Sequence, residues 1–283
     1  MEKALAGKEE KMGIQAAFML PHPPLIIPEI GRGEEKKIQK TIDAYEHCAQ
    51  MIAALRPETI IVISPHQTMY ADYFHISPGS SAQGDFARFG APQVRVRVDY
   101  DTQLVARLCE GAQQWQLPAG TDGERDSRPD HGTMVPLYFV NRYLDRYRIV
   151  RMGLSGLPLA EHYKLGQCLA EAVQALDTKA VLIASGDLSH RLKADGPYGY
   201  RKEGPEYDRQ VMDVMEKADF VRLLHFSEDF CEKAGECGHR SFTILAGALE
   251  KSKVHAQRLS YEGTFGVGYG ICAYTCTDPE SAV

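Results

Sequence analysis

Three of the chain's ten histidines stand just beyond the C-terminal end of an apolar run with strand character. Ala16–Leu20 leads to His22, Ile60–Ile63 to His66, and Ala180–Ala184 to His190. In a parallel sheet such ends line one edge. Imidazoles far apart in sequence then meet in a single crevice, where open α/β folds place their ligands. Neutral imidazole is a favoured ligand for transition metals, so this convergence points to a metal site.

Five short segments carry the chemistry. In Leu20-Pro21-His22-Pro23-Pro24, and again in Ser64-Pro65-His66, prolines fix φ and remove backbone donors, which stiffens the turn and aims the imidazole. Taken singly, each is also readable as a turn or capping histidine; two in one chain are harder to assign to packing. Ser185-Gly186-Asp187-Leu188-Ser189-His190 offers a carboxylate and an imidazole three residues apart. Asp187 could orient His190 and fix its tautomer for proton transfer near neutral pH, or His190 could be a third ligand. The bland alternative is an aspartate that caps a turn, with a surface histidine behind it.

Asp130-His131-Gly132-Thr133 precedes a helix expected from Met134. His131 would sit at the positive helix end, which favours a neutral imidazole able to donate to a developing oxyanion; a plain loop is the competing reading. Gly235-Glu236-Cys237-Gly238-His239 brings a carboxylate, a thiol and an imidazole to a helix start. Glu236 would complete a two-histidine, one-carboxylate face with open positions on non-haem Fe(II), whereas a thiolate from Cys237 suits zinc or copper(I). Adjacent side chains do not easily reach the same ion, and the choice between them stays open at this level.

The elements that must position these residues alternate strand and helix. Strands are expected at Ile14–Leu20, Thr59–Ile63, Phe74–Ser77, Gln93–Val98, Arg148–Leu154, from Ala180 to Ala184, and as a closing pair at Val254–Tyr261 and Val267–Thr275. Helices are expected at Glu34–Leu55, Thr102–Gln114, Met134–Leu144, Leu159–Leu176, Glu206–Lys217 and Arg240–Lys251. The first strand, first helix and second strand read as a βαβ unit. The count favours one α/β domain over residues 13–277, a mixed central sheet flanked by helices on both faces, with residues 1–12 a disordered extension and 278–283 a tail. Asp195–Pro205, rich in Gly, Pro and Tyr, reads as a long loop beside the His190 segment that could close over a ligand.

Composition excludes several classes. The net charge of −6, with Lys and Arg dispersed, argues against a nucleic-acid surface. No apolar run approaches the roughly 20 residues needed to span a bilayer, and the charged first residues are unlike a secretion signal. The seven cysteines, odd in number and without a CxxC pair, suit reduced thiols. A cytoplasmic protein is the expectation.

In that order, the LPHPP, SPH, DHG, SGDLSH and GECG segments resemble the class III extradiol ring-cleavage dioxygenases of the LigB type and the related Memo family, over roughly Gly13 to Thr275. The resemblance implies a three-layer LigB-like sandwich and a non-haem Fe(2+) enzyme that cleaves a catecholic ring with O2. It implies His22, His66 and Glu236 as metal ligands, His190 as the acid/base histidine oriented by Asp187, and His131 as a residue near the substrate. Memo-like proteins carry the thiol where Cys237 stands, which makes a metal-binding redox or interaction protein the alternative, with Zn(2+) or Cu as the ion. A zinc hydrolase using the same open site is a third reading. The implied partners are a small aromatic substrate and O2, an AMMECR-type domain, and a second copy of the chain, a homodimer being the default for such a protein.

Overall fold

The computed structural model describes residues 12–277; residues 1–11 and 278–283, to which the expected extension and tail largely fall, lie outside the described residues. Strand β1 (Gly13–Leu20) is followed by a one-turn helix α1 (Pro28–Gly31), helix α2 (Gln39–Leu55) and β2 (Thr59–Ile63). Next come β3 (Phe74–His75), the hairpin β4 (Ser81–Phe86) and β5 (Ala91–Asp99), α3 (Thr102–Gln114), β6 (Ala119–Gly120), α4 (His131–Val140) and β7 (Arg148–Met152). The remaining elements are α5 (Leu159–Ala175), β8 (Lys179–Ser185), α6 (Glu203–Lys217), α7 (Glu228–Ala234), α8 (His239–Leu249), β9 (Lys253–Glu262) and β10 (Tyr269–Thr277).

Six strands form the central mixed sheet in the order β7-β2-β8-β1-β10-β9. β7, β2, β8 and β1 run parallel, and β10 and β9 close the sheet antiparallel. β1, β2 and most of β8 are buried along their length because both faces are covered. The two-residue strand period divides them: Ala17, Met19, Ile61, Ile63, Leu182 and Ala184 enter one core. Ala16, Phe18, Leu20, Ile60, Val62, Val181 and Ile183 enter the other, beneath α2 and α4. α5 and α8 cross so closely that a Cβ on Gly166 would strike the Ile244 carbonyl, and one on Gly247 the Tyr163 carbonyl.

Several expectations are corrected in detail. β1 and β2 are parallel but not neighbours, since β8 lies between them. The helix expected from Glu34 opens with a 3-10 turn, Glu34–Ile38, before its α-helical part. α4 starts three residues before Met134 because Asp130 caps it, accepting from Thr133 N at 3.1 Å. The expected strand Gln93–Val98, in which Val and Arg alternate, lies within β5 and pairs with β4 in a two-stranded ribbon separate from the central sheet. Among the described residues no helix is long and apolar enough to cross a membrane.

Candidate metal centre and adjoining cavity

The sheet order brings the site together. β2, β8 and β1 are adjacent and parallel, so their C-terminal ends deliver His66, the Ser185–His190 loop and His22 to one point. His22 Nε2 and His66 Nε2 lie 2.9 Å apart, and Cys237 Sγ lies 3.6 Å from His22 Nε2. One ligating atom from each of these three residues falls within 4.8 Å of the others.

The orientation of His22 follows from the sequence through a chain of hydrogen bonds. Pro136 sits inside α4 and has no N–H, so the Gly132 carbonyl four residues earlier lacks its helical donor. That carbonyl accepts instead from Ser185 Oγ at 2.6 Å. With its only proton so committed, Ser185 Oγ can only accept from His22 Nδ1, 2.8 Å away. His22 is thereby fixed as the Nδ1–H tautomer, and its Nε2 lone pair faces His66 and Cys237. Burial, the largest influence, pushes the His22 imidazole below its ordinary pKa, and burial likewise holds His66 down at about 3 with help from His22. Both rings are neutral at physiological pH and able to ligate.

Ser64 joins the second and fourth segments. Its Oγ donates to Asp130 Oδ1 at 2.5 Å and accepts from His66 N at 3.2 Å. Gly132 is required here, since a Cβ would collide with Ser64 Oγ and crowd Asp130 and His22. His131, the first residue of α4, packs over His66 with ring centroids 4.1 Å apart, and burial with the nearby His22 pushes it to about 4. Arg88 adds a smaller push in the same direction.

Asp187 is buried at the centre of the third segment. Its Oδ1 accepts from His22 N at 2.8 Å, and its Oδ2 lies 3.8 Å from His190 Nε2. Burial opposes its ionisation, but His22 and His190 outweigh that and hold the carboxyl below its usual range. The His190 ring stacks on Tyr198, with centroids 5.1 Å apart, while Tyr200 of the same loop is exposed.

The fifth segment divides its two candidate ligands. A Cβ on Gly186 would strike Gly238, and Gly238 itself is pressed against Phe242 and the Asp187 carbonyl. This glycine-to-glycine contact seats the two loops together and turns Cys237 Sγ toward His22, where it accepts from Asp187 N at 3.3 Å. Glu236 turns the other way. Its Oε2 accepts from His239 N at 2.6 Å, satisfying the start of α8, and burial raises its carboxyl to about 7. The carboxylate expected beside the two histidines therefore does not meet them here, and the thiol does. Burial pushes the Cys237 thiol well up, a cost that a bound cation would reverse.

A cavity of about 620 Å³ opens beside His66 and His131. Phe89 forms part of its wall, edge-on to His131 with centroids 5.3 Å apart. Much of this wall comes from the β4–β5 hairpin, whose first strand, Ser-Ala-Gln-Gly-Asp-Phe, has too little β-branched character to announce itself. The serines Ser64 and Ser185 were also unmarked by sequence reasoning. Their only signal is their place at the last residue of an apolar strand or just after it.

Ser185→Ala is expected to weaken divalent-metal binding by about 10- to 100-fold, the usual cost of losing the partner that orients a ligating histidine. Chelator competition would measure it, and affinity within twofold of the parent would show that the serine does not set the tautomer.

The family model "Catalytic LigB subunit of aromatic ring-opening dioxygenase" matches residues 16–272. A Clostridium acetobutylicum protein, CA_C1420, is 41% identical over 267 residues, covering 92% of this chain; the chain spans only 57% of that relative's length. The 2-aminophenol 1,6-dioxygenase beta subunit of a Pseudomonas species is 23% identical over 287 residues, covering 91% of this chain and 92% of the relative. Among solved structures, an uncharacterised Escherichia coli K12 protein, JW3007, shares the fold with a TM-score of 0.59 at 17% identity, over 93% of this chain and 99% of that one.

Proposed function

We propose, because the chain belongs to the LigB family of aromatic ring-opening dioxygenase catalytic subunits, that it is a non-haem Fe(II) oxidoreductase that opens a catecholic ring with O2. The observation that carries the reading is the meeting of His22, His66 and Cys237 beside a cavity that Phe89 and His131 help to wall, with the Asp187–His190 pair against His22. The donor set fits a transition ion: bonds of about 2.0 to 2.3 Å to nitrogen and sulfur can span the separations found. When bound, Fe(II) would supply the redox chemistry by which an ortho-diol and O2 react.

The chain's own residues do the rest. His22 and His66 offer neutral lone pairs, and Cys237 the negative charge that Glu236, engaged at the start of α8, does not bring. His190, steadied by Asp187 and stacked on Tyr198, takes a phenolic proton and later returns one. His131, neutral at the start of α4, steadies negative charge on the substrate oxygen. The loop expected over Asp195–Pro205 is shorter, because α6 already begins at Glu203; the part ahead of the helix, whose Tyr198 stacks on His190, covers the His190 side and limits water there. A homodimer and an AMMECR-type domain complete the reading as partners, on the strength of the family resemblance.

One observation favours a second reading. A thiolate between two imidazoles is a soft set that suits copper or zinc, the ligation of a Memo-like metal-binding protein without ring cleavage. Oxygen uptake decides between them: protein reconstituted anaerobically with Fe(II) is exposed to O2 and a panel of catechols. Stoichiometric uptake with appearance of a ring-opened chromophore supports the dioxygenase. No uptake by protein that carries a full complement of Fe(II) supports the Memo-like alternative.

A further inference from the structure

The imidazole of His190 is not fixed by its own side-chain contacts. Its Nε2 lies 3.8 Å from Asp187 Oδ2, beyond hydrogen-bond length, and Tyr198, on which it stacks, is 62% exposed. The ring's place therefore depends on its backbone, which is clamped from three sides. Just ahead of β10, Gly268 N donates to the Ser189 carbonyl at 2.8 Å, and Leu188 N to the Gly268 carbonyl at 2.9 Å. At the end of α7, the Ala234 carbonyl accepts from Ser189 Oγ at 2.7 Å and the Gly235 carbonyl from His190 N at 3.2 Å. The third side is α6, where Asp208 Oδ1 accepts from Ser189 N at 2.8 Å. Of these anchors, Asp208 alone is a side chain from outside the loop.

Asp208 is buried, and its second oxygen accepts from the Tyr261 hydroxyl of β9 at 2.7 Å. Gly268 leaves room for that oxygen, since a Cβ there would lie 2.1 Å from Oδ2. Burial pushes the carboxyl up to about 7, against both hydrogen bonds and the nearby His190. A buried carboxyl is a costly way to satisfy one backbone N–H. Its effect is local: it fixes the residue that precedes the acid/base histidine.

We infer that Asp208 is a positioning residue for His190, which it places against Asp187 by holding the Ser189 N–H from the far side of the loop. It works as a hydrogen-bond acceptor, so an amide can replace it. In Asp208→Asn the side-chain oxygen still accepts from Ser189 N, and the amide N–H2 donates to the Tyr261 oxygen. The inference rests on the ring-opening reading for the use made of the His190 proton, but the placement of the ring holds whatever the reaction.

The test compares Asp208→Ala, Asp208→Leu, which keeps the branched shape but cannot accept, and Asp208→Asn. Oxygen uptake with catechol by the Fe(II)-loaded chain reads turnover. Histidine-selective NMR of the metal-free chain, with the His190 signals assigned through His190→Ala, reads the ring's place. Alanine and leucine should lower kcat by about 100-fold, the cost of a misplaced reacting group, and leave KM and metal stoichiometry within about twofold of the parent. They should also move the His190 ring signals away from the positions that stacking on Tyr198 imposes, while those of His22 and His66 stay. Asparagine should restore both readouts, and Tyr261→Phe, which removes only the other partner, should match the parent. Parental His190 signals in the alanine and leucine variants, displacement of His22 and His66 as well, or asparagine as impaired as leucine would each overturn the proposal. So would failure of both alanine and leucine variants to fold, judged by the unfolding midpoint, since Asp208 would then hold the domain rather than one loop. Displaced His190 signals with parental kcat, or no oxygen uptake by the parent, would sink the dioxygenase role of His190 and leave the anchor standing.

Discussion

Alanine at His22 should cost the protein its metal. The ring supplies an oriented Nε2 that lies 2.9 Å from His66 Nε2 and 3.6 Å from Cys237 Sγ, and its removal takes away the donor that both of them face. The loss should exceed the 10- to 100-fold typical of removing a supporting hydrogen bond, so a fall of at least about 100-fold is expected. His66→Ala should do the same. The fold should survive, because the His22 backbone N–H, which anchors Asp187, is untouched by the change. Chelator competition with Fe(II) or Zn(II), together with an unfolding curve, checks both halves. A variant that keeps full affinity would move the metal elsewhere.

His190→Ala should separate proton transfer from metal binding. Its imidazole is tied to Asp187 and Tyr198, and it is absent from the cluster of donor atoms. Removing a general acid/base typically costs about 10²- to 10⁴-fold in rate, so turnover should fall by that much while metal stoichiometry stays at the parent value. Asp187→Ala should be harsher on both counts, because it removes the oxygen that accepts from the His22 backbone as well as the partner of His190. Steady-state oxygen uptake and metal analysis on the same sample read the two quantities. Loss of metal in His190→Ala would mean that the histidine ligates rather than transfers protons.

Much of the fold was legible because the parallel strands are buried on both faces and read as continuous apolar runs. Thr59–Ile63 and Thr102–Gln114 have the expected boundaries. The proximity of His22 and His66 follows from the same feature, since residues just past parallel strand ends share an edge. What was not legible depends on contacts between distant segments. Whether Glu236 or Cys237 turns toward the histidines is decided by Gly186 packing on Gly238, a tertiary contact with no periodic signature. The tautomer of His22 depends on Pro136, 114 positions away in sequence, through a carbonyl and a serine. The cavity wall stayed unremarked because the strand that pairs with β5 is polar and Gly-containing, which hid the hairpin.

The identity of the third ligand is the hinge on which the site turns. X-ray absorption at the iron edge of anaerobic Fe(II)-loaded protein addresses it directly. A sulfur scatterer at about 2.3 Å beside nitrogen neighbours, lost in Cys237→Ser and retained in Glu236→Gln, is the predicted result. A shell of nitrogen and oxygen alone, unaltered in Cys237→Ser and disrupted in Glu236→Gln, would contradict it and return the carboxylate to the ion.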